Sequence, residues 1–212
     1  MSWKRPTWVR EQALWAQGMR WVAGVDEAGR GAWAGPVTAA AVVFPPEAMH
    51  VPELACVRDS KQLTPTQRLA CSQVIKRWAR AWGLGWASPR EIETIGIGAA
   101  TRRAMHRALA GLSLQVDAVL IDHVTLPGPW YWDAFPRGDQ LVISIAAASI
   151  LAKVSRDAYM RAMSVAYPGY GFEQHKGYGT QQHRVALARQ GPSPLHRRTF
   201  RPVMARLALG RT

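Results

Sequence analysis

The sequence is short of cysteine and of acid, and it has no long apolar run. Two cysteines in 212 residues, Cys56 and Cys71, exclude a disulfide framework and a four-cysteine zinc site. Cys71 stands among Val74, Ile75 and Trp78 at helical spacing, which reads as a small core residue. No apolar stretch approaches the roughly 18 residues of a membrane span. The basic segment through Trp21 has no continuous apolar core, so it does not read as a secretory signal. These absences set the expectation of a soluble protein in a reducing cytoplasm, away from membranes. Acids number 14 against 27 Lys and Arg, leaving a formal charge of +13. That excess makes a polyanion, most simply nucleic acid, the expected partner. Apolar residues are 48% of the chain, enough for one domain with a core that needs no staples. The ten tryptophans are accounted for by core packing and surface patches before base stacking is invoked.

Residues 1–20 read as a short, partly helical lead-in. Trp21 to Val25 is an apolar run of strand length ending in Asp26-Glu27. Val37 to Phe44 is a second, stopped by Pro45-Pro46. Thr64, Pro65 and Gln67 spell a capping box ahead of a helix, and Ala81 to Ala87 fits a strand. Ser88-Pro89-Arg90-Glu91 repeats the cap grammar, with a break expected at Gly96 and Gly98 before the helix resumes over Ala99 to Leu109. Ala118 to Ile121, closed by Asp122, has the look of a buried parallel strand. Leu141 to Ser144 reads as another strand behind Gly138-Asp139, followed by a long helix from Ile145 to Val165. Thr180 caps a helix that ends near Gln190, before Gly191 and Pro192. The order implies an α/β sheet layer over 21–166 and a helical annex over 167–212.

The placement of the scarce acids is informative. Glu11, Glu91 and Glu93 fall on predicted helices and Glu47 and Glu53 in a loop, where solvated acids usually sit. Asp26, Glu27 and Asp122 instead close apolar strands, where open α/β sheets place their sites, and Asp139 follows a glycine at the head of the last apolar run. If the strands ending at Asp26 and Asp122 are neighbours, their carboxylates repel unless cations intervene. All-oxygen ligation suits Mg²⁺ or Mn²⁺, and in a basic chain that points to phosphoryl transfer on nucleic acid. Spacing alone also allows these acids to pair with arginine or cap helices.

The segment Gly24-Val25-Asp26-Glu27-Ala28-Gly29-Arg30-Gly31 with Ala34-Gly35-Pro36-Val37 resembles the signature of the ribonuclease HII family. Asp59-Ser60-Lys61-Gln62-Leu63, Leu120-Ile121-Asp122 and Gly138-Asp139 resemble its next three boxes. Ala146 to Asp157 resembles its long helix, and Tyr170-Gly171-Phe172 with His175 to Thr180 its C-terminal loop. The boxes run in family order from about residue 21 to 203. The resemblance implies a ribonuclease H-like mixed five-stranded sheet flanked by helices, with a C-terminal helical substrate-binding subdomain. It implies an endoribonuclease that cuts the RNA strand of RNA–DNA hybrids and nicks duplex DNA 5′ of a single ribonucleotide, leaving 5′-phosphate and 3′-hydroxyl ends. Two Mn²⁺ or Mg²⁺ ions are expected on Asp26, Glu27, Asp122 and Asp139. Gly29, Arg30 and Gly31 are expected to meet the 2′-hydroxyl, the group that separates RNA from DNA. Tyr178 is expected on the following deoxyribose, and Ser60, Lys61, Ser149, Lys153 and Lys176 on the substrate backbone. No obligate protein partner is evident, a monomer is expected, and the lead-in is too short for the extra domain of ribonuclease HIII. A catalytically silent hybrid binder is the rival from a different class.

Gly96 stands where that family commonly has Asn, and His123 where a glycine is frequent. His175 and His183 read as structural or phosphate-contacting rather than metal ligands. Asp157 reads as half of a helix-surface salt bridge, or as lining the pocket. Trp130-Tyr131-Trp132 reads as a surface loop packed on its own aromatics. Arg197, Arg198, Arg201 and Arg206 are either a solvated basic tail or a hold on the duplex backbone.

Overall fold

A computed structural model describes residues 5–209. The outer ends of the two flanking segments, 1–4 and 210–212, lie outside the described residues. Strands β1 (Val22–Ala28), β2 (Val37–Val43), β3 (Ala81–Ala87), β4 (Ala118–Asp122) and β5 (Tyr131–Phe135) form one sheet in the order β3-β2-β1-β4-β5. β1 and β2 pair antiparallel, as do β2 and β3, whereas β4 runs parallel to both β1 and β5. All seven β2 residues are buried, so this strand carries Val and Ala with only Thr38 among them, and no charge to solvate.

Helices cover both faces. Successive strand side chains point to opposite sides, so Val25, Ala39, Ala41 and Ile121 meet α3 (Pro89–Ala110). Ala40, Val42 and Phe44 meet α2 (Pro65–Trp78) and α4 (Ile143–Ala166) on the other side. Leu14 of α1 (Val9–Trp15) joins Val22, Leu120 and Ile145 there. α4 passes so close over β1 that a Cβ on Gly24 would lie 2.1 Å from the Ser144 carbonyl carbon. Both capping boxes form as the sequence grammar implies, Thr64 with Gln67 and Ser88 with Glu91. The break in α3 is at Gly96, whose φ of 77° is non-helical. α5 (Phe172–His175), α6 (Gln181–Gln190) and α7 (Arg201–Leu209) complete the chain. Phe172, Ala186 and Leu195 pack against Ala34 of the β1–β2 turn and Met160 of α4. No helix among the described residues is long and apolar enough to cross a membrane.

Three expectations are corrected. Leu141 to Ser144 is not a strand: Gly138–Gln140 forms a tight 3₁₀ turn, α4 begins at Ile143, and Val142 makes only an isolated bridge to Thr7. The fifth strand comes instead from the Trp130-Tyr131-Trp132 segment, as an edge strand whose Tyr131 and Trp132 are exposed. Its mixed, half-exposed composition hides it from a search for apolar runs. Glu11 is not solvated but buried, its Oε1 accepting from the Ser144 backbone N–H at 2.9 Å and hydroxyl at 2.6 Å. It serves the first turn of α4 from the far end of the chain, supplying the cap that Val142 lacks. The two cysteines are also joined as a disulfide, Cα to Cα 5.9 Å, while Cys71 keeps its place in the core.

Candidate active site

The parallel pairing of β1 with β4 sets Val25 opposite Ile121. Asp26 and Asp122 therefore come next on adjacent strands and on one face of the sheet, the face crossed by α4. The run of backbone over Gly24 lets α4 deliver Ser149 to this spot. The result is a cleft of about 460 Å³ lined by Asp26, Glu27, Asp122, Ser60, Lys61, Ser149, Lys153 and Tyr178, with Gly29, Arg30 and Gly31 at its wall.

Burial and crowding of like charge act together here. Burial, and next the Glu27 charge, push the Asp26 carboxyl well above the usual range, with Asp122 adding and the Ser149 hydroxyl opposing. Burial likewise raises Glu27 against the pull of Arg30. Asp139 is raised by burial although Lys61 works against it. Its Oδ2 accepts from the Lys61 ammonium at 3.0 Å. Burial works to lower Lys61, but Asp139, Asp59 and Asp26 outweigh it and hold the ammonium above its ordinary value. Asp26 Oδ1 accepts the Glu27 N–H at 2.7 Å, and Asp122 Oδ1 accepts the Gly138 N–H at 2.8 Å.

The carboxylates fit hard, oxygen-liganded ions by donor chemistry. Among the described residues, however, no three His, Cys, Asp or Glu groups already converge as ligands. Asp139 Oδ2 is turned to Lys61 instead, so ligation through that oxygen requires that this lysine let go.

A network of hydrogen bonds behind the carboxylates holds the site's shape. Asp59 accepts the Lys61 N–H at 2.9 Å and the Gln140 amide at 3.2 Å, which ties the second box to the turn bearing Asp139. Ser60 and Ser149 hydroxyls are 3.0 Å apart. Arg68 Nη1 donates to the carbonyls of Ser60, at 2.7 Å, and Leu63. Arg156 and Arg197 are fully buried beneath the glycine turn. Arg156 donates to Pro36 and Ala34 carbonyls at 2.9 and 3.1 Å. Arg197 donates to Gly35, Arg30 and Gly29 carbonyls at 2.9, 2.8 and 2.7 Å. Burial, aided by the Arg156 charge, lowers the Arg197 guanidinium to about 9. Arg197 is thus neither a solvated tail nor a duplex clamp. No local pattern marks it, because its partners lie more than 160 residues away in sequence. Gly29 sits at φ 91°, and a Cβ there would fall 1.9 Å from Arg156 Nε. Gly31 has no neighbouring atom within 4 Å of such a Cβ.

Tyr178 leans over two cations, with Lys153 Nζ 5.6 Å and Arg156 Cζ 5.2 Å from its ring centre. A histidine stack holds its loop. The His196 Nδ1 accepts the Ser193 N–H at 3.0 Å, so its Nε2–H faces His183 Nε2 at 3.0 Å. His183 then donates from Nδ1 to the Tyr178 carbonyl, also at 3.0 Å. Burial lowers His183 and His196 to about 4, which keeps the relay neutral. His175 stacks on His183 with ring centres 4.4 Å apart. Of the two roles open to His175 and His183, structural or phosphate-contacting, the buried stack is the structural one, and His196 joins it.

One expected contact falls elsewhere. The Lys176 ammonium bonds the carbonyls of its own loop, Glu173 and Gln174, and does not line the cleft. Asp157 makes the helix salt bridge expected of it, with Lys153 at 2.7 Å, although its side chain is buried, and it does not line the cleft. Glu91 pairs with Arg103 and Arg107, and its hydrogen bond from Arg107 holds its carboxyl down at about 2. His123 adopts φ 57°, the left-handed conformation that glycine takes without cost.

A sequence profile of the family described as ribonuclease HII matches residues 23–203. Ribonuclease HII of Chloroflexus aggregans is 51% identical over 201 residues, covering 94% of this chain and 95% of the relative. The crystal structure of ribonuclease H2 from Pyrococcus horikoshii OT3 superposes with a TM-score of 0.77 at 24% identity, over 91% of this chain and 99% of that one. Bst-RNase HIII in complex with Mn²⁺ superposes with a TM-score of 0.69 at 18% identity, over 89% of this chain and 70% of that one. The mixed sheet is the ribonuclease H-like fold seen in these structures. The chain belongs to the ribonuclease HII family and is an endonuclease of the ribonuclease H type, with RNA–DNA hybrids as its substrate class.

Proposed function

We propose that this enzyme also nicks duplex DNA 5′ of a single embedded ribonucleotide, using two divalent ions, Mn²⁺ or Mg²⁺, held by Asp26, Glu27, Asp122 and Asp139. The observation that carries the reading is the meeting of Asp26 and Asp122 on adjacent parallel strand ends, in the same cleft as the Gly29–Gly31 turn. The crowded carboxylates repel one another when ionised, and cations relieve that repulsion. The chemistry the ions supply when bound is activation of the attacking water and stabilisation of the departing 3′-oxygen. Lys61 guards Asp139 beforehand and becomes a phosphate contact once it lets go. Ser60, Ser149 and Lys153 position the scissile strand without reading its sequence. Gly31, open to the cleft, lets the backbone approach the 2′-hydroxyl, and Tyr178 packs on the next sugar. Residues 167–212 act as the substrate-binding subdomain through that tyrosine, and residues 21–166 as the catalytic domain. The Mn²⁺ complex of the Bst-RNase HIII relative and the all-oxygen donor set support the metal assignment.

The test is a DNA duplex carrying one ribonucleotide, incubated with Mg²⁺ or Mn²⁺ beside an all-DNA control and an EDTA blank. A metal-dependent nick 5′ of the ribonucleotide, with the control intact, is expected. Cleavage of long hybrids alone would remove the junction role of Tyr178. Asp26→Asn abolishes cleavage while hybrid binding persists; retained turnover would take Asp26 out of the ion site.

A further inference from the structure

The charge of +13 is not spent at the cleft alone. Arg20 and Trp21 precede β1, Lys76, Arg77 and Trp78 form the last turn of α2, and Arg80 and Trp82 open β3. The register sets Ala23 opposite Val43 and Val43 opposite Ala81, so these segments meet at one end of the sheet. It is the end opposite the carboxylates. From Trp21 to Asp26 the strand rises about 17 Å at 3.3 Å per residue.

Each cation at this pole lies over an indole. The Arg20 and Arg80 guanidinium carbons are 4.9 and 5.9 Å from the Trp21 ring centre. Lys76 Nζ is 4.6 Å from Trp82, and Arg77 is 5.4 Å from Trp78. Among the described residues none of the four forms an ion pair, unlike Lys61, Arg103, Arg107 and Lys153. Asp117, an acid at this end, is engaged by the Trp21 N–H at 2.8 Å. A cation seated on an aromatic face keeps its charge and loses mobility, so less freedom remains to be lost on binding. The covered ring faces offer positive charge rather than a free stacking platform, which favours phosphates over bases. The separation from the cleft is about twice the Debye length of roughly 8 Å at physiological salt. These charges therefore do little for a strand bound at the carboxylates and are left free for the phosphates of another segment.

We propose that this pole is a second nucleic-acid contact, which binds the phosphate backbone of a duplex DNA segment other than the one in the cleft. The inference rests on the chain's nucleic-acid substrate class and not on the nicking of single ribonucleotides. It lets the enzyme hold one segment of a long substrate while it probes another.

The experiment saturates the wild-type enzyme with a short hybrid made uncleavable by a modified scissile phosphate, then titrates in a labelled all-DNA duplex. The second duplex is expected to bind. In K76Q/R77Q/R80Q its affinity falls at least about tenfold, and the slope of log K against log salt flattens by roughly 2.7, at about 0.9 for each phosphate left without its cation. The melting temperature drops only by the few degrees that losing three surface cation–π contacts costs, while kcat/KM on the short hybrid stays at the parent's value. Failure of the second duplex to bind wild-type enzyme overturns the proposal without recourse to any variant. An unchanged slope in the variant does the same, and so does loss of short-hybrid cleavage, which would put these residues on the path of the first strand. Preference for a labelled single strand over the duplex would overturn the assignment to duplex DNA.

Discussion

Gly29→Ala and Gly31→Ala are the same chemical change two residues apart, and the geometry separates their effects. At Gly29 the new methyl would lie 1.9 Å from Arg156 Nε. Arg156 has little room to yield, being fully buried and bonded to the Pro36 and Ala34 carbonyls. The backbone at φ 91° also disfavours a side chain. Backbone strain of about 1–3 kcal/mol and overpacking of about 1–3 kcal/mol sum to a loss of about 2–6 kcal/mol. For a chain of this size, at about 2–4 °C per kcal/mol, the melting temperature falls by roughly 4–24 °C. At Gly31 the methyl meets nothing within 4 Å, and stability stays within about 0.5 kcal/mol of the parent. That methyl instead stands where substrate approaches the backbone. A displacement of about 1 Å there lowers kcat/KM on a hybrid by about 10²-fold. Thermal melting read beside hybrid cleavage distinguishes the two. A Gly29→Ala enzyme that melts with the parent, or a Gly31→Ala enzyme that cleaves like it, would refute the reasoning.

Arg197→Met leaves three carbonyls of the β1–β2 turn without their donor, about 1–3 kcal/mol for each that stays buried; denaturant unfolding measures this, and Arg197→Lys restores little because one ammonium cannot span all three. Cys56→Ser, at the half-buried end of the pair, removes a cross-link between residues 15 apart, about 3 kcal/mol by loop entropy, and a dithiol reductant should erase most of the difference from the parent. His183 and His196, lowered to about 4, stay neutral when folded. Their contribution is present above the ordinary histidine value of 6.5 and is lost as pH falls toward 4, visible as imidazole NMR shifts that coincide with loosening of the Tyr178 loop. Asp26 and Glu27 have the opposite sign: raised carboxyls cost stability as pH rises through their range. Mn²⁺ should accordingly raise the melting temperature more at about pH 8 than at about pH 5, and an equal shift at both would detach these acids from the ion.

Local chemistry was legible wherever cause and effect lie within a few residues. The hydroxyl of Thr64 or Ser88 needs only the N–H three positions on, so both capping boxes could be read directly. The uninterrupted apolar runs of β2 and β4 declared buried strands, and acids closing β1 and β4 declared a site at their ends. The motif spacing carried the family resemblance, and with it the mixed sheet. β5 escaped because an edge strand need not be apolar on either face, and its Trp-Tyr-Trp opening resembles a packed loop.

The sequence by itself determined the strand segments β1 to β4, the capped starts of α2, α3 and α6, and which carboxylates close their strands, since those depend on short-range hydrogen bonds and on the alternation of side chains along a strand. Only the tertiary structure decided what supports them. Glu11 reaches Ser144, Lys61 reaches Asp139, and Arg197 reaches back to Gly29 across most of the chain. A buried ionic group is tolerated only where partners already wait, and those partners are assembled by the fold, not by neighbours in sequence.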